Sequence, residues 1–209
     1  MNSDDGEINW VDRRQDVRII ARVPGRFSLA DRRDSKGERR VFSCRAINLS
    51  SQAIALATPI TGKVGDRVIA TIDHLGKLDG KIIRVLERGF VMGINATDDE
   101  RQKLIAKIEW LERFKDLDIS DRRAERRYLP EAPHSQIMLA DGKIETCLVV
   151  DYSATGAAVS ADTVPAVGTV LAVGKLVGRV VRHFEGGFAI QFVERQNHEE
   201  VEARLAMAQ

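Results

Sequence analysis

Two clusters of arginine, each followed by a short turn motif, are the residues of this chain whose types and spacing could do chemistry. Arg13, Arg14 and Arg18 form the first cluster, and Arg122, Arg123, Arg126 and Arg127 the second. Arginine carries a planar fork that grips phosphate through two hydrogen bonds, reads the O6/N7 edge of guanine and stacks on a purine. A ligand with phosphates and guanines could use several such forks at once. Charge alone favours a plainer account, a solvated basic loop with weak ion pairs to Asp16 or Glu125. The second element is Asp151-x-Ser153-x-x-Gly156, at the end of a β-rich run, answered earlier by Asn48-x-Ser50-x-x-Ala53. Asp and Ser there fold back on the backbone as a tight turn, and Gly permits a geometry or an approach that other residues resist. A plain β-turn explains that motif by itself. Its functional reading is a carboxylate placed to accept from the N–H edge of a guanine.

Catalytic sets are not found. His74 and His134 read as turn residues, and His183 and His198 as surface ones. None falls into a Ser/His/Asp or Cys/His arrangement, and no phosphate-cradling glycine loop or zinc-binding His-Glu-x-x-His occurs. Cys44 and Cys147 sit in no Cys-x-x-Cys pair and read as reduced thiols in strands. The expectation is a protein that is not an enzyme and holds no metal and no cofactor.

The elements that must position these residues follow from an internal repeat. Cys44-Arg45-Ala46-Ile47-Asn48-Leu49-Ser50 recurs as Cys147-Leu148-Val149-Val150-Asp151-Tyr152-Ser153. Leu29-Ala30-Asp31 recurs as Leu139-Ala140-Asp141, Ile82-Ile83-Arg84 as Val180-Val181-Arg182, and Gly89-Phe90-Val91 as Gly187-Phe188-Ala189. Order is kept and only loop lengths differ, the first copy having a longer charged loop from Asp31 to Arg40. Phe188, Ile190 and Phe192 alternate with small or polar residues, the period of a half-buried strand. Asp141-Gly142 and Gly186-Gly187 signal hairpins. Many short strands with glycine-rich turns predict a small closed barrel in each copy. Thr97-Asp98-Asp99-Glu100 starts a helix whose Leu104, Ile105, Ile108 and Leu111 form one apolar face. That helix covers a barrel mouth or packs on the partner copy. A shorter helix over 197–207 carries Val201 and Leu205.

The expected organisation is a disordered tail over 1–11, a first domain over 12–115, a linker over 116–120 and a second domain over 121–209. A formal net charge of +1 in 209 residues supplies no global field toward nucleic acid or membrane. No apolar run reaches the roughly 18 residues of a membrane span, and the acidic start lacks a secretion signal. The expected location is the cytoplasm. A nucleic-acid-binding barrel would want aromatic residues beside its basic ones, and near the arginine clusters only Trp10 and Tyr128 qualify.

Taken together, these motifs resemble the PilZ domain family. Its hallmark is Arg-x-x-x-Arg near the domain start, then Asp/Asn-x-Ser-x-x-Gly on a small barrel. The second copy has Arg123-x-x-x-Arg127, preceded by Arg122, and Asp151-x-Ser153-x-x-Gly156. The first has Arg14-x-x-x-Arg18, preceded by Arg13, and Asn48-x-Ser50-x-x-Ala53, departing from the pattern at Ala53. The resemblance covers nearly the whole chain. It implies a mainly β fold, two tandem six-stranded barrels each followed by a C-terminal helix, and binding of cyclic di-GMP. By the same resemblance Arg123 and Arg127 grip phosphate and guanine with Arg122 assisting, Asp151 and Ser153 contact the other side of a guanine, and Gly156 lets the backbone approach. The corresponding residues of the first copy are Arg13, Arg14, Arg18, Asn48 and Ser50. The implied role is a receptor that changes conformation on binding and acts on a downstream protein partner, with motility or exopolysaccharide production as outputs. The alternative is a PilZ-like adaptor that binds no nucleotide and works through protein contacts.

Overall fold

In the computed structural model, residues 19–34, 36–114 and 126–206 are described. The expected tail over 1–11 and linker over 116–120 lie outside them. Two closed six-stranded antiparallel barrels follow one another. The first is built from β1 (Ile19–Leu29), β2 (Phe42–Leu49), β3 (Ala53–Ala57), β4 (Arg67–Ile72), β5 (Gly76–Leu86) and β6 (Gly89–Ile94). The second repeats it with β7 (His134–Met138), β8 (Ile144–Tyr152), β9 (Gly156–Ala161), β10 (Val170–Val173), β11 (Leu176–Phe184) and β12 (Gly187–Phe192). The strand order around the first barrel, β1-β2-β3-β6-β5-β4, matches β7-β8-β9-β12-β11-β10 around the second. Closure leaves no unpaired strand edge in either.

Alternation fills each interior. Phe27, Phe42 and Phe90 meet at the centre of the first barrel, with ring centroids 5.6 Å and 5.3 Å apart, a spacing that favours offset or edge-on aromatic contact. Phe188, Ile190 and Phe192 fill the second. Each barrel's core is joined by its own helix, so the first helix packs on its own barrel and not on the partner copy. α1 (Asp98–Phe114) delivers Leu104, Ile108 and Leu111 to the first core, and α2 (His198–Leu205) delivers Val201 and Leu205 to the second. Thr97 and Glu100 form a reciprocal capping box at the start of α1: Glu100 Oε2 accepts from the Thr97 amide at 2.8 Å, and Thr97 Oγ1 accepts from the Glu100 amide at 3.4 Å. The bond from the Thr97 amide is the first reason that the Glu100 carboxyl titrates below its usual range.

Strand β2 departs from simple alternation, with five consecutive buried residues from Phe42 to Ala46. A strand with buried residues on successive positions is covered on both faces. Phe42, Cys44 and Ala46 point into the first core. Ser43 and Arg45 point outward against the second barrel, where the Ser43 amide donates to Gly186 O at 3.1 Å and to Ser160 Oγ at 3.1 Å. Gly186 has φ +97°, a conformation that favours glycine, and a Cβ there would press on Ser43 N at 3.0 Å. The charged loop from Asp31 to Arg40 also docks across the junction, with Arg40 Nη1 donating to Asp162 Oδ1 at 3.0 Å. His134 differs from its sequence reading as a turn residue. It opens β7, is buried, and its Nε2 meets Thr58 O at 3.2 Å. The junction, invisible to a one-barrel reading, is what buries it. Cys44 and Cys147 are buried thiols in β2 and β8. Burial pushes Cys147 up to about 12 and raises Cys44 still further, so neither forms a thiolate near neutral pH.

Candidate functional site

Two β-bulges shape the outer face of the second barrel. The β8–β9 register slips between Val149 and Asp151, and the β11–β12 register between Val180 and Arg182. A bulge bends its strand and re-aims the next side chain. Here Asp151 and Arg182 are both brought to one cleft of about 390 Å³, within the range of small-molecule sites. Arg127, Ser153, Gly156 and Gln191 line the same cleft. The first barrel slips at the matching places, between Ala46 and Asn48 and between Ile82 and Arg84.

Arg127 Nη1 donates to Asp151 Oδ1 at 2.8 Å, and both side chains are about one quarter to one third exposed. A carboxylate has acceptor capacity for several donors, so Asp151 can hold Arg127 and still accept from a ligand. The segment carrying Arg127 is pinned one residue later by a two-way backbone bridge: Tyr128 N donates to Tyr152 O at 2.8 Å, and Tyr152 N to Tyr128 O at 3.0 Å. The two tyrosine rings stack at 5.7 Å, and the Arg126 guanidinium lies 5.3 Å from the Tyr128 ring centre. The Tyr152 hydroxyl donates to Glu202 of α2 at 3.1 Å. Burial, then the Glu202 charge, pushes the Tyr152 phenol up to about 12.

Ser153 is buried in the tight turn read from sequence, its amide donating to Gly156 O at 2.8 Å and its Oγ accepting from the Thr155 amide at 3.3 Å. Gly156 is not among the glycines with positive φ. Its requirement is space, because a Cβ there would lie 2.3 Å from Ile190 O on β12. In the first barrel Ser50 forms the same turn, with its amide donating to Ala53 O at 2.9 Å, and Asn48 is exposed. Ala53 faces Gly93, whereas Gly156 faces Gln191. The small residue has changed sides, so the first barrel carries no amide side chain at that place.

Of the residues expected to bind, the structure brings together Arg127, Asp151, Ser153 and Gly156. Arg122, Arg123, Arg13, Arg14 and Arg18 lie outside the described residues. Sequence reasoning missed Arg182 and Gln191, which come from strands far along the chain. One signal existed for the first of them: an arginine kept on both copies, Arg84 and Arg182, directly after a bulge.

The sequence of residues 12–110 matches the PilZ domain family. The first barrel is a PilZ domain. The match falls on the copy whose turn motif reads Asn48-x-Ser50-x-x-Ala53, and the second, PilZ-like barrel repeats its strand order with the Asp and Gly in place. Among solved structures, the chain is similar to the Borreliella burgdorferi PlzA protein in complex with c-di-GMP, at 12% identity and TM-score 0.32 over 92% of this chain and 93% of that one. It is similar to the PilZ domain with c-di-GMP of YcgR from Escherichia coli, at 17% identity and TM-score 0.35 over 50% of this chain and 99% of that one. A third similarity is to the Bacillus subtilis inhibitor of motility MotI/DgrA, at 12% identity and TM-score 0.29 over 90% of this chain and 94% of that one. No curated protein matches the chain in sequence. Among the described residues no helix is long and apolar enough to cross a membrane, and no cluster of His, Cys, Asp and Glu could hold a metal ion.

Proposed function

We propose that this protein is a receptor for cyclic di-GMP whose main site is the cleft of the second barrel. The observation that carries the reading is the convergence of Arg127, Asp151, Ser153, Gly156 and Arg182 on one cavity. Guanidinium groups supply forked donors for phosphate and for the guanine O6/N7 edge, and the Asp151 carboxylate supplies an acceptor for guanine N–H groups. Arg122 and Arg123 precede Arg127 on the same segment and complete the arginine set. The PilZ match of the first barrel and the repetition of its fold in the second support the same ligand. In the first barrel, Arg13, Arg14, Arg18, Asn48 and Ser50 form a second, weaker candidate set. Ligand in the main cleft engages the arginine segment and changes the surface that a downstream protein reads, with motility or exopolysaccharide production as the regulated class. The working compartment on this reading is the cytoplasm.

The test is calorimetric titration of the intact protein with cyclic di-GMP beside Arg127→Ala and Arg123→Ala variants. Saturable binding that both variants weaken by about 10- to 150-fold is expected, the range for a lost charge-assisted hydrogen bond. Binding that survives unchanged in both would move the site to the first barrel. No binding by the wild type would leave the PilZ-like adaptor, acting through protein contacts.

A further inference from the structure

Arg45 sits on β2 of the first barrel, points away from its own core, and is only 3% exposed. Its Nη1 donates to Pro130 O and its Nη2 to Val150 O at 3.0 Å, both in the second barrel's half of the chain. Burial, followed by the neighbouring Arg22 charge, lowers its pKa to about 10, with Glu202 opposing. The guanidinium therefore stays charged near neutral pH. Burying such a charge is costly unless its donors are satisfied, and here the satisfying groups are two carbonyls whose positions bear on the cleft. Pro130 follows the segment of Arg127 and Tyr128. Val150 is the bulge residue directly before Asp151. The same guanidinium thus holds both strands of chain that meet in the Arg127–Asp151 pair and the Tyr128–Tyr152 bridge.

The repeat sharpens the point. The residue of the second copy that corresponds to Arg45 is Leu148, also outward-facing and 1% exposed at the junction. A leucine satisfies burial at that position by itself. The arginine on the other copy is therefore not demanded by the barrel fold, and its donors go to the two chain segments that build the cleft.

We infer that Arg45 is a positioning residue for the second-barrel site: from the first barrel it fixes the bulge that aims Asp151 and the segment that carries Arg127. This inference rests on the receptor reading above, and its test has an arm that does not. The full-length wild type, Arg45→Met, Arg45→Lys and the junction control Ser43→Ala are compared by amide hydrogen exchange without ligand and by titration with cyclic di-GMP. Ser43 lies two residues along the same outward face, but its partners are Gly186 and Ser160. In Arg45→Met, exchange over 126–130 and 150–153 should rise about tenfold or more while β10 and β11 keep their protection. Affinity should fall about tenfold. Arg45→Lys, which keeps the charge without the fork, should fall between, and serves alone if the methionine variant does not fold. Ser43→Ala should change neither reading. Unchanged exchange at those segments, a rise spread evenly over both barrels, or full affinity in a variant with fast exchange would each overturn the inference. Should the wild type not bind cyclic di-GMP, the receptor reading falls, and the exchange arm still decides whether Arg45 pins the segments.

Discussion

Arg127 and Arg182 bring the same functional group to one cleft in different ways. Arg127 is held at 2.8 Å by Asp151 and is two-thirds covered. Arg182 is exposed, with its guanidinium 5.7 Å from the centre of the Phe184 ring. A fork already oriented by a carboxylate loses its geometry when replaced by lysine, whereas an exposed charge is replaced with little loss. Arg127→Lys should therefore weaken cyclic di-GMP binding by about tenfold or more, and Arg182→Lys by only a few-fold, while Arg182→Ala costs more than Arg182→Lys. Calorimetric titration of the three variants checks this order, and equal losses in both lysine variants would remove Arg127's special place. At this scale the sequence was legible where motif and spacing coincide. Asp151 and Ser153 lie two residues apart where β8 runs into a turn, and Arg127 belongs to a repeated cluster. Arg182 and Gln191 were hidden because their nearness to Asp151 depends on two bulges and a cross-strand register that spacing along the chain does not encode.

At the scale of the element, the turn from β8 into β9 and the paired strands β9 and β12 line much of the cleft. Gly156 marks one close approach of those strands, with only 2.3 Å between a would-be Cβ and Ile190 O. That oxygen is backbone in the middle of a ladder and cannot swing aside as the end of a side chain could. Gly156→Ala should consequently strain the β9–β12 pair and destabilise the second barrel by about 1–3 kcal/mol, the usual range for overpacking. Urea unfolding followed by Tyr128 and Tyr152 fluorescence reads the shift, and an unchanged midpoint would show that the ladder relaxes freely. Glycine in the motif was legible, but its reason was not. The sequence suggested positive φ or ligand approach, whereas the constraint comes from a partner strand more than thirty residues away. The helices were more readable, because the capping box at Thr97 and the apolar spacing of α1 are local signals.

At the scale of the whole molecule, the repeat made two barrels legible, but nothing in either copy alone announces the junction between them. Its residues are those that each barrel would otherwise expose: Ser43 and Arg45 on one side, His134, Leu148 and Ser160 on the other. His134 gives that junction a pH dependence. Burial lowers its pKa from the usual 6.5, the bond to Thr58 O opposes this, and the charges of Arg88 and Arg45 lower it further. A histidine whose folded pKa lies below its unfolded one binds fewer protons in the native state. Stability is then fully present above about pH 6.5 and falls as pH drops through that value toward the lower folded pKa. A glutamine at this position keeps an N–H donor for Thr58 O but cannot titrate. The wild type should accordingly lose more stability than His134→Gln between about pH 7.5 and about pH 5.5. Urea midpoints at the two pH values measure the difference directly. A parallel fall in both proteins would assign the acid sensitivity to other groups, while a steeper fall in the wild type would place it at the contact where the first barrel's Thr58 meets the second barrel's His134.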